Sequence, residues 1–324
     1  MTMKELARLA GVSSAAVSRY LNGGSLSPEK REIIRRAIAE TGYQPDAAAQ
    51  ALRTKTTDIV GLIVPKLDSE SVSRLAAGAA AVLSNEGYLC QFAISHNDPE
   101  RELFYLSLFR KHQVAGAIVV GTTDSPRHGE LREQTFPVVV TGQKLKQTPC
   151  VYYDDAGAAA ELTRLLLARG RRKVCYLSMS GQEAVGPARR QGVVDALREA
   201  GLEILAQEAA SSDLSDGRAA MERLLAVAPE VDAVVCATDR IAFGAMEALR
   251  AAGREIPRDV SVVGMGDSWA CEMAAPQLTT AHFYYRTCGE RAAQLLLENI
   301  RSRDAAEPVQ QIMLGYRICA RGSV

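Results

Sequence analysis

Few residues of this chain are spaced for chemistry of their own. Four histidines, His96, His112, His128 and His282, are scattered along it, and none pairs at the spacing a metal site needs. Seven cysteines are equally dispersed, with no Cys-x-x-Cys pair, and read as reduced thiols rather than staples or zinc ligands. A Walker loop and a G-x-S-x-G elbow are both absent. The run GMGDS (Gly264–Ser268) lacks the G-x-G-x-x-G spacing of a dinucleotide site. Neither catalysis nor a cofactor is expected.

One stretch does carry a pattern. GVSSAAVSRYLNG (Gly11–Gly23) places small side chains, Ser13 to Ala16, where a helix begins. Val17 and Leu21 follow at a burying interval, with Arg19 between them. Small side chains let a helix come close to another surface, and charge says which kind. The whole chain balances 38 basic against 38 acidic side chains. Residues 1–56, however, carry a surplus of four positive charges, which points to an anionic partner for the front end alone.

The elements that would position these residues are legible from capping and periodicity. Thr2 and Glu5 form a capping box for a helix over residues 2–10, which Gly11 stops. Ser13 restarts a helix to Leu21, and Asn22-Gly23-Gly24 ends it. Ser27 then caps a third helix with Pro28 at its first position, and Ile33, Ile34, Ala37 and Ile38 recur at helical spacing. Two short helices joined by a tight turn, followed by a third, make a helix-turn-helix pattern. The Ala-rich segment after Pro45 has little apolar bulk beyond Leu52 and reads as a hinge helix too short to be stable alone.

From Asp58 the texture changes. Apolar runs such as IVGLIVP, GAIVVG, KVCYLSM, DAVVCAT and VSVVGMG alternate with helical segments. Repeated strand–helix units over this length predict parallel sheets flanked by helices, in two lobes with a cleft between them. The division expected is a helix-turn-helix domain over 1–45, a hinge over 46–57 and a core over 58–324. At 47% hydrophobic the chain can bury such a core. It has no apolar stretch of membrane-spanning length, and its amphipathic start is no secretory signal, so a cytoplasmic protein is expected.

MKELARLAGVSSAAVSRYLNG, YQPDAAAQALRTKTT, DIVGLIVP, ATDRIAFGAMEAL, DVSVVGMGD, PQLTTAHF and RICARGSV follow one another in this order. Along essentially its whole length the chain resembles the LacI/GalR bacterial transcription repressors. The resemblance implies a helix-turn-helix head, a hinge helix and a two-lobed, periplasmic-binding-protein-like core with parallel sheets. It also implies a homodimer on a pseudo-palindromic operator, and the ending RGSV carries no leucine-heptad tail that would build a tetramer. Ser14, Ala15 and Arg19 match the family's base-facing positions. A serine donates to or accepts from a base edge, an alanine meets a thymine methyl, and an arginine fork fits guanine O6 and N7. Thr2, Ser13 and Ser18 fit phosphate or capping roles. Leu52 matches the hinge leucine that wedges into the minor groove. Asp46 departs from the Asn or Ser of many relatives but also caps.

For the cleft, the resemblance implies a ligand-reaching arginine at Arg189, whose fork suits sugar hydroxyls or a carboxylate. Relatives commonly carry acidic ligand contacts where this chain has Gly142 and Gly266, so Gln143 and Asp267 are candidates to take over. Leu214 stands at a common aromatic position, and Trp269, the one tryptophan, is a candidate to stack on a ring. Thr238 and Tyr285 match ligand-lining positions, while Asp239 is expected to cap the helix that follows. A mono- or disaccharide is the expected effector, and the TTAHFYYRTCGE segment resembles most the sucrose- and trehalose-type repressors. The alternatives are a purine or a phosphoprotein as effector, or a sugar-binding receptor with no DNA function, which leaves the first 56 residues unexplained.

Overall fold

The structure is a computed structural model describing residues 1–21, 24–43, 57–121, 126–181, 184–211, 213–302 and 308–324. The hinge expected over 46–57, with Leu52 and Asp46, lies outside the described residues apart from Thr57. The chain divides into two compact units, Met1–Thr57 and Asp58–Val324.

The described residues of the first unit form three helices. α1 (Met3–Leu9) starts at the Thr2–Glu5 capping box, with both reciprocal hydrogen bonds made. Ser13 caps α2 (Ser14–Leu21), its Oγ accepting from the Ala16 amide at 3.2 Å. α3 (Pro28–Thr41) has Ser27 as its cap and Gly42 in the left-handed region at its end. Leu6, Ala7, Ala16, Val17, Ile34, Ala37 and Tyr43 meet in one small core.

The second unit holds two sheets of six strands. The first lobe contains β1 (Ile59–Val64), α4 (Glu70–Asn85), β2 (Leu89–Ile94), α5 (Pro99–Lys111), β3 (Gly116–Val120), β4 (Val138–Thr141) and β5 (Cys150–Tyr153). The chain then passes to the second lobe: α6 (Asp155–Ala168), β6 (Val174–Met179), α7 (Gly186–Glu199), β7 (Gln207–Ala210), α8 (Leu214–Val227) and β8 (Ala233–Cys236). This lobe continues with α9 (Asp239–Ala251), β9 (Ser261–Met265), α10 (Ala270–Met273) and β10 (Thr279–Phe283). The chain returns with α11 (Tyr285–Arg301), which packs on α4, and β11 (Gln311–Leu314), before β12 (Tyr316–Cys319) rejoins the second sheet.

The strand orders are β11-β5-β4-β3-β1-β2 and β12-β10-β9-β8-β6-β7. Among the described residues all pairings are parallel except β10 with β12. The central strands are buried on both faces, which is why they read as continuous Val/Ile/Leu runs. Three passages join the lobes, after Tyr153, after Phe283 and at Gly315. Strand ends and helix starts that face these passages are where side chains from both lobes can meet.

Candidate functional site

In the head, α2 turns Ala16 and Val17 into the core. That leaves Ala15 and Arg19, one turn apart, exposed on the opposite face. Arg19 lies back along its own helix, its Nε donating to the Ala15 carbonyl at 3.4 Å. Ser14 and Ser18 are half-buried beside them. The first turn of α2 has no acidic residue, so its free amides and dipole favour an anion there. An exposed arginine one turn from a helix start of small side chains and free positive dipole is suited to read a polyanion at close range.

In the core, the first two passages gather a cluster of aromatic and ionised groups. The Tyr153, Phe283 and Tyr285 rings lie 5.3–6.0 Å apart. The Arg189 guanidinium, on the first turn of α7, stacks 5.2 Å over the Phe283 ring. Arg189 is only 7% exposed. Its Nε donates to the Asp155 carboxylate at 2.7 Å, and its Nη1 donates to the Ala237 carbonyl at the end of β8. Asp155 is 5% exposed at the start of α6. Burial pushes its carboxyl up, against the pull of Arg189. The Tyr176 hydroxyl of β6 and the Thr141 hydroxyl of β4 are buried and have no hydrogen-bond partner among the described residues.

Beside this cluster opens a cavity of about 500 Å³, lined among others by Arg74, Asp267, Trp269, His282, Tyr285 and Arg286. Asp267 adopts a left-handed backbone conformation, φ 53°. Its carboxylate accepts from Arg321 at 2.8 Å and pairs with His282 Nδ1 at 2.9 Å. Part-burial works to raise the Asp267 carboxyl, but the hydrogen bonds from Arg321 and His282 outweigh it and hold it below the usual carboxylate range. The loop after β9 is also gripped from the first lobe: Arg74 of α4 donates to the Asp267 carbonyl at 3.3 Å, and the Trp269 amide donates to Glu70 at 3.3 Å. Among the described residues no cluster of His, Cys, Asp and Glu is arranged to hold a metal ion.

Residues 57–317 match the family described as "Periplasmic binding proteins and sugar binding domain of LacI family", and residues 2–46 match "Bacterial regulatory proteins, lacI family". The chain belongs to the LacI family. It is a DNA-binding transcriptional regulator with an effector-binding domain, and not an enzyme. The HTH-type transcriptional regulator CelR of Thermobifida fusca is 33% identical over 96% of this chain and 95% of its own length. The ribose operon repressor of Bacillus subtilis is 29% identical, covering 97% and 96%. A structure titled as a CelR–cellobiose complex superposes with a TM-score of 0.76 at 31% identity, covering all of both chains. A lac repressor dimer bound to operator and an anti-inducer gives 0.86 at 22% identity over 100% of this chain and 98% of that one, a likeness of fold. Among the described residues no helix is long and apolar enough to cross a membrane.

Within this LacI-family core the six effector candidates fall in different places. Asp267, Trp269 and Tyr285 share the cavity, with Trp269 65% exposed at its rim. Arg189 lies in the buried cluster, and Tyr285 belongs to both groups, its ring against Tyr153. Gln143 is buried just after β4, its amide filling the space beside Gly121. Thr238 caps α9, its Oγ1 accepting from the Ile241 amide at 3.3 Å. This corrects the capping role expected of Asp239. The Asp239 carboxylate is instead buried, accepting from the Thr280 hydroxyl and from the Ser268 amide at 2.9 Å. It also explains Gly266: φ is 138° there, and an added Cβ would lie 3.0 Å from Asp239 Oδ2.

In the head, Thr2 and Ser13 both serve as caps. Sequence reasoning missed Asp155, because DDAG at a helix start reads simply as capping. Arg321, which anchors Asp267, lies in the C-terminal run RICARGSV, where an arginine near a strand end is itself a signal.

Proposed function

We propose that this LacI-family regulator is a cytoplasmic homodimeric repressor of a carbohydrate-utilisation operon, and that a mono- or disaccharide bound between its lobes controls it. The observation that carries the reading is the cluster where the lobes join. Arginine, tyrosines and a phenylalanine ring meet there, the combination that holds a sugar by hydrogen bonds to its hydroxyls and by contact with its apolar face. Arg189 and Tyr285 contact the saccharide, Asp267, Gln143 and Thr238 shape the site around it, and Trp269 covers it from the rim. A CelR structure titled with cellobiose and a relative named for a ribose operon support a sugar effector. Those names give the sucrose- and trehalose-type pointer no support of its own.

In the head, Arg19 reads a base, with Ser14 and Ala15 beside it. Thr2, Ser13 and Ser18 position the backbone, and Leu52 wedges the minor groove. The domain limits proposed remain 1–45, 46–57 and 58–324.

Calorimetric titration of cellobiose, ribose, sucrose and trehalose into wild type and Arg189→Ala tests the effector. One sugar binds wild type and is lost in the variant. Binding of a purine or a phosphoprotein alone overturns the sugar. Gel shifts with fragments around the protein's own gene test the repressor, which fails if no fragment outcompetes bulk DNA. Arg19→Ala costs about 1–3 kcal/mol on the operator and relaxes one base pair per half-site. Equal loss on random DNA would contradict base reading.

A further inference from the structure

We propose that Asp155 sets the charge class of the effector: by holding Arg189 in a buried ion pair it makes the cleft select an uncharged ligand and refuse a phosphorylated or carboxylated one. The inference rests on reading the cleft as the effector site.

Arginine is permanently cationic, and its planar fork is the usual receptor for phosphate and carboxylate. An unpaired Arg189 at the floor of a cleft would therefore recruit an anion. Here the carboxylate it would recruit is already built in. Asp155 lies 2.7 Å from Arg189 Nε, and the two side chains are 5% and 8% exposed. The pair sums to zero charge in a place where solvent cannot screen an imbalance.

A ligand anion has two ways in, and both are costly. It can displace Asp155, which leaves a buried carboxylate with no cation. It can instead crowd the same guanidinium, which puts two like charges side by side in a low dielectric. The cations around the adjoining cavity are already paired, and Arg190, exposed on α7, is held by the Gln207 side chain at 3.0 Å. Arg74 is paired with Glu70, Arg286 with Glu290, and Arg321 and His282 with Asp267.

What the floor does offer is neutral. Two of the five guanidinium N–H groups are taken, by Asp155 and by Ala237, and the remainder suit hydroxyl oxygens. The Tyr176 hydroxyl, fully buried on β6 and within electrostatic reach of Arg189, has no hydrogen-bond partner among the described residues. It can both donate to and accept from an alcohol. A polyol fits this inventory, whereas a phosphate does not.

The test uses the full-length protein. Melting temperatures are recorded with inorganic phosphate, glucose 6-phosphate and gluconate at matched ionic strength, and with the neutral sugars named above. Wild type is expected to ignore all three anions. Asp155→Asn, which frees the guanidinium while keeping the shape, is expected to gain anion binding by about 100-fold or more. Asp155→Ser serves as a second release variant, and adding Arg189→Ala to either abolishes the gain.

Anion binding by wild type that disappears in Arg189→Ala overturns the proposal, and so does a folded release variant that gains no anion binding. If neither release variant folds, the wild-type titration decides alone. If no neutral sugar binds but the release variants capture anions, the saccharide reading fails while the role of Asp155 stands. The two failures are therefore distinguishable.

Discussion

Glu102 lies on the inner side of α5, only 3% exposed, beside the Leu106 and Phe109 core of the first lobe. Burial, reinforced by the Asp98 carboxylate one turn earlier, pushes its carboxyl up to about 7 from 4.5. The folded state therefore keeps a proton that the unfolded chain loses first. Stability contributed by this group is complete below about pH 4.5, falls as pH rises, and levels off above about pH 7. Glu102→Gln should raise stability by about 2 kcal/mol at pH 8 and change little at pH 5. Denaturant melts of both proteins at the two pH values check this, and an equal effect at both would show that the carboxyl titrates normally. Residues of this kind are the hardest to read from sequence. Glu102 sits in PERELF, an ordinary-looking acidic helix start, and only packing decides that it is inside. Asp155 was hidden for the same reason. Arg19 and Arg189 stand out as candidates because each lies in a longer motif.

Helices announce their ends when a side chain caps them, and those of α1, α3 and α6 coincide with the capping residues in the sequence. Helix α11 is not legible in the same way, because no side chain caps it and Gly289 interrupts its first turns. That glycine has a packing reason. A Cβ at Gly289 would fall 1.9 Å from the Leu75 carbonyl oxygen, and one at Gly78 would fall 2.1 Å from that of Arg286. Helices α4 and α11 thus touch backbone to backbone through two glycines. Alanine in place of a mid-helix glycine ordinarily stabilises by about 0.5–1 kcal/mol. Here the overlap is with backbone that cannot swing aside, so the sign reverses. Gly289→Ala is expected to cost about 1–3 kcal/mol and lower the melting temperature. A rise on melting would mean the helices separate without strain. Because α11 begins at Tyr285, the variant should also weaken effector binding. Strands β7, β11 and β12 escape sequence reading for a different reason: each has only four residues, mostly half-buried or exposed, too few for a period-2 signal to emerge.

At the scale of the whole molecule, the alternation of strands and helices made two lobes legible, but the passages between them were not. β11 pairs with β5 and β12 with β10, across sequence distances that no local pattern encodes. Those passages bring Arg189, Asp155 and Tyr285 together, and their chemistry separates the two binding events by salt. Operator binding displaces counterions from phosphates, so log K should fall linearly with log salt. A neutral effector in a charge-balanced cleft displaces none, so its affinity for the free protein should stay flat over the same range. The two events must nevertheless be coupled if the effector regulates. Coupling is a single free energy, commonly 5–150-fold in affinity, and it acts equally in both directions. The factor by which a saturating effector changes operator affinity, from gel shifts, must equal the factor by which saturating operator changes effector affinity, from calorimetry at the same salt. Equal factors place both sites on one equilibrium between two states of the chain. Factors that differ beyond error would mean that the species binding the sugar is not the species binding the DNA, and the regulatory reading would then have to be abandoned even if each ligand bound well by itself.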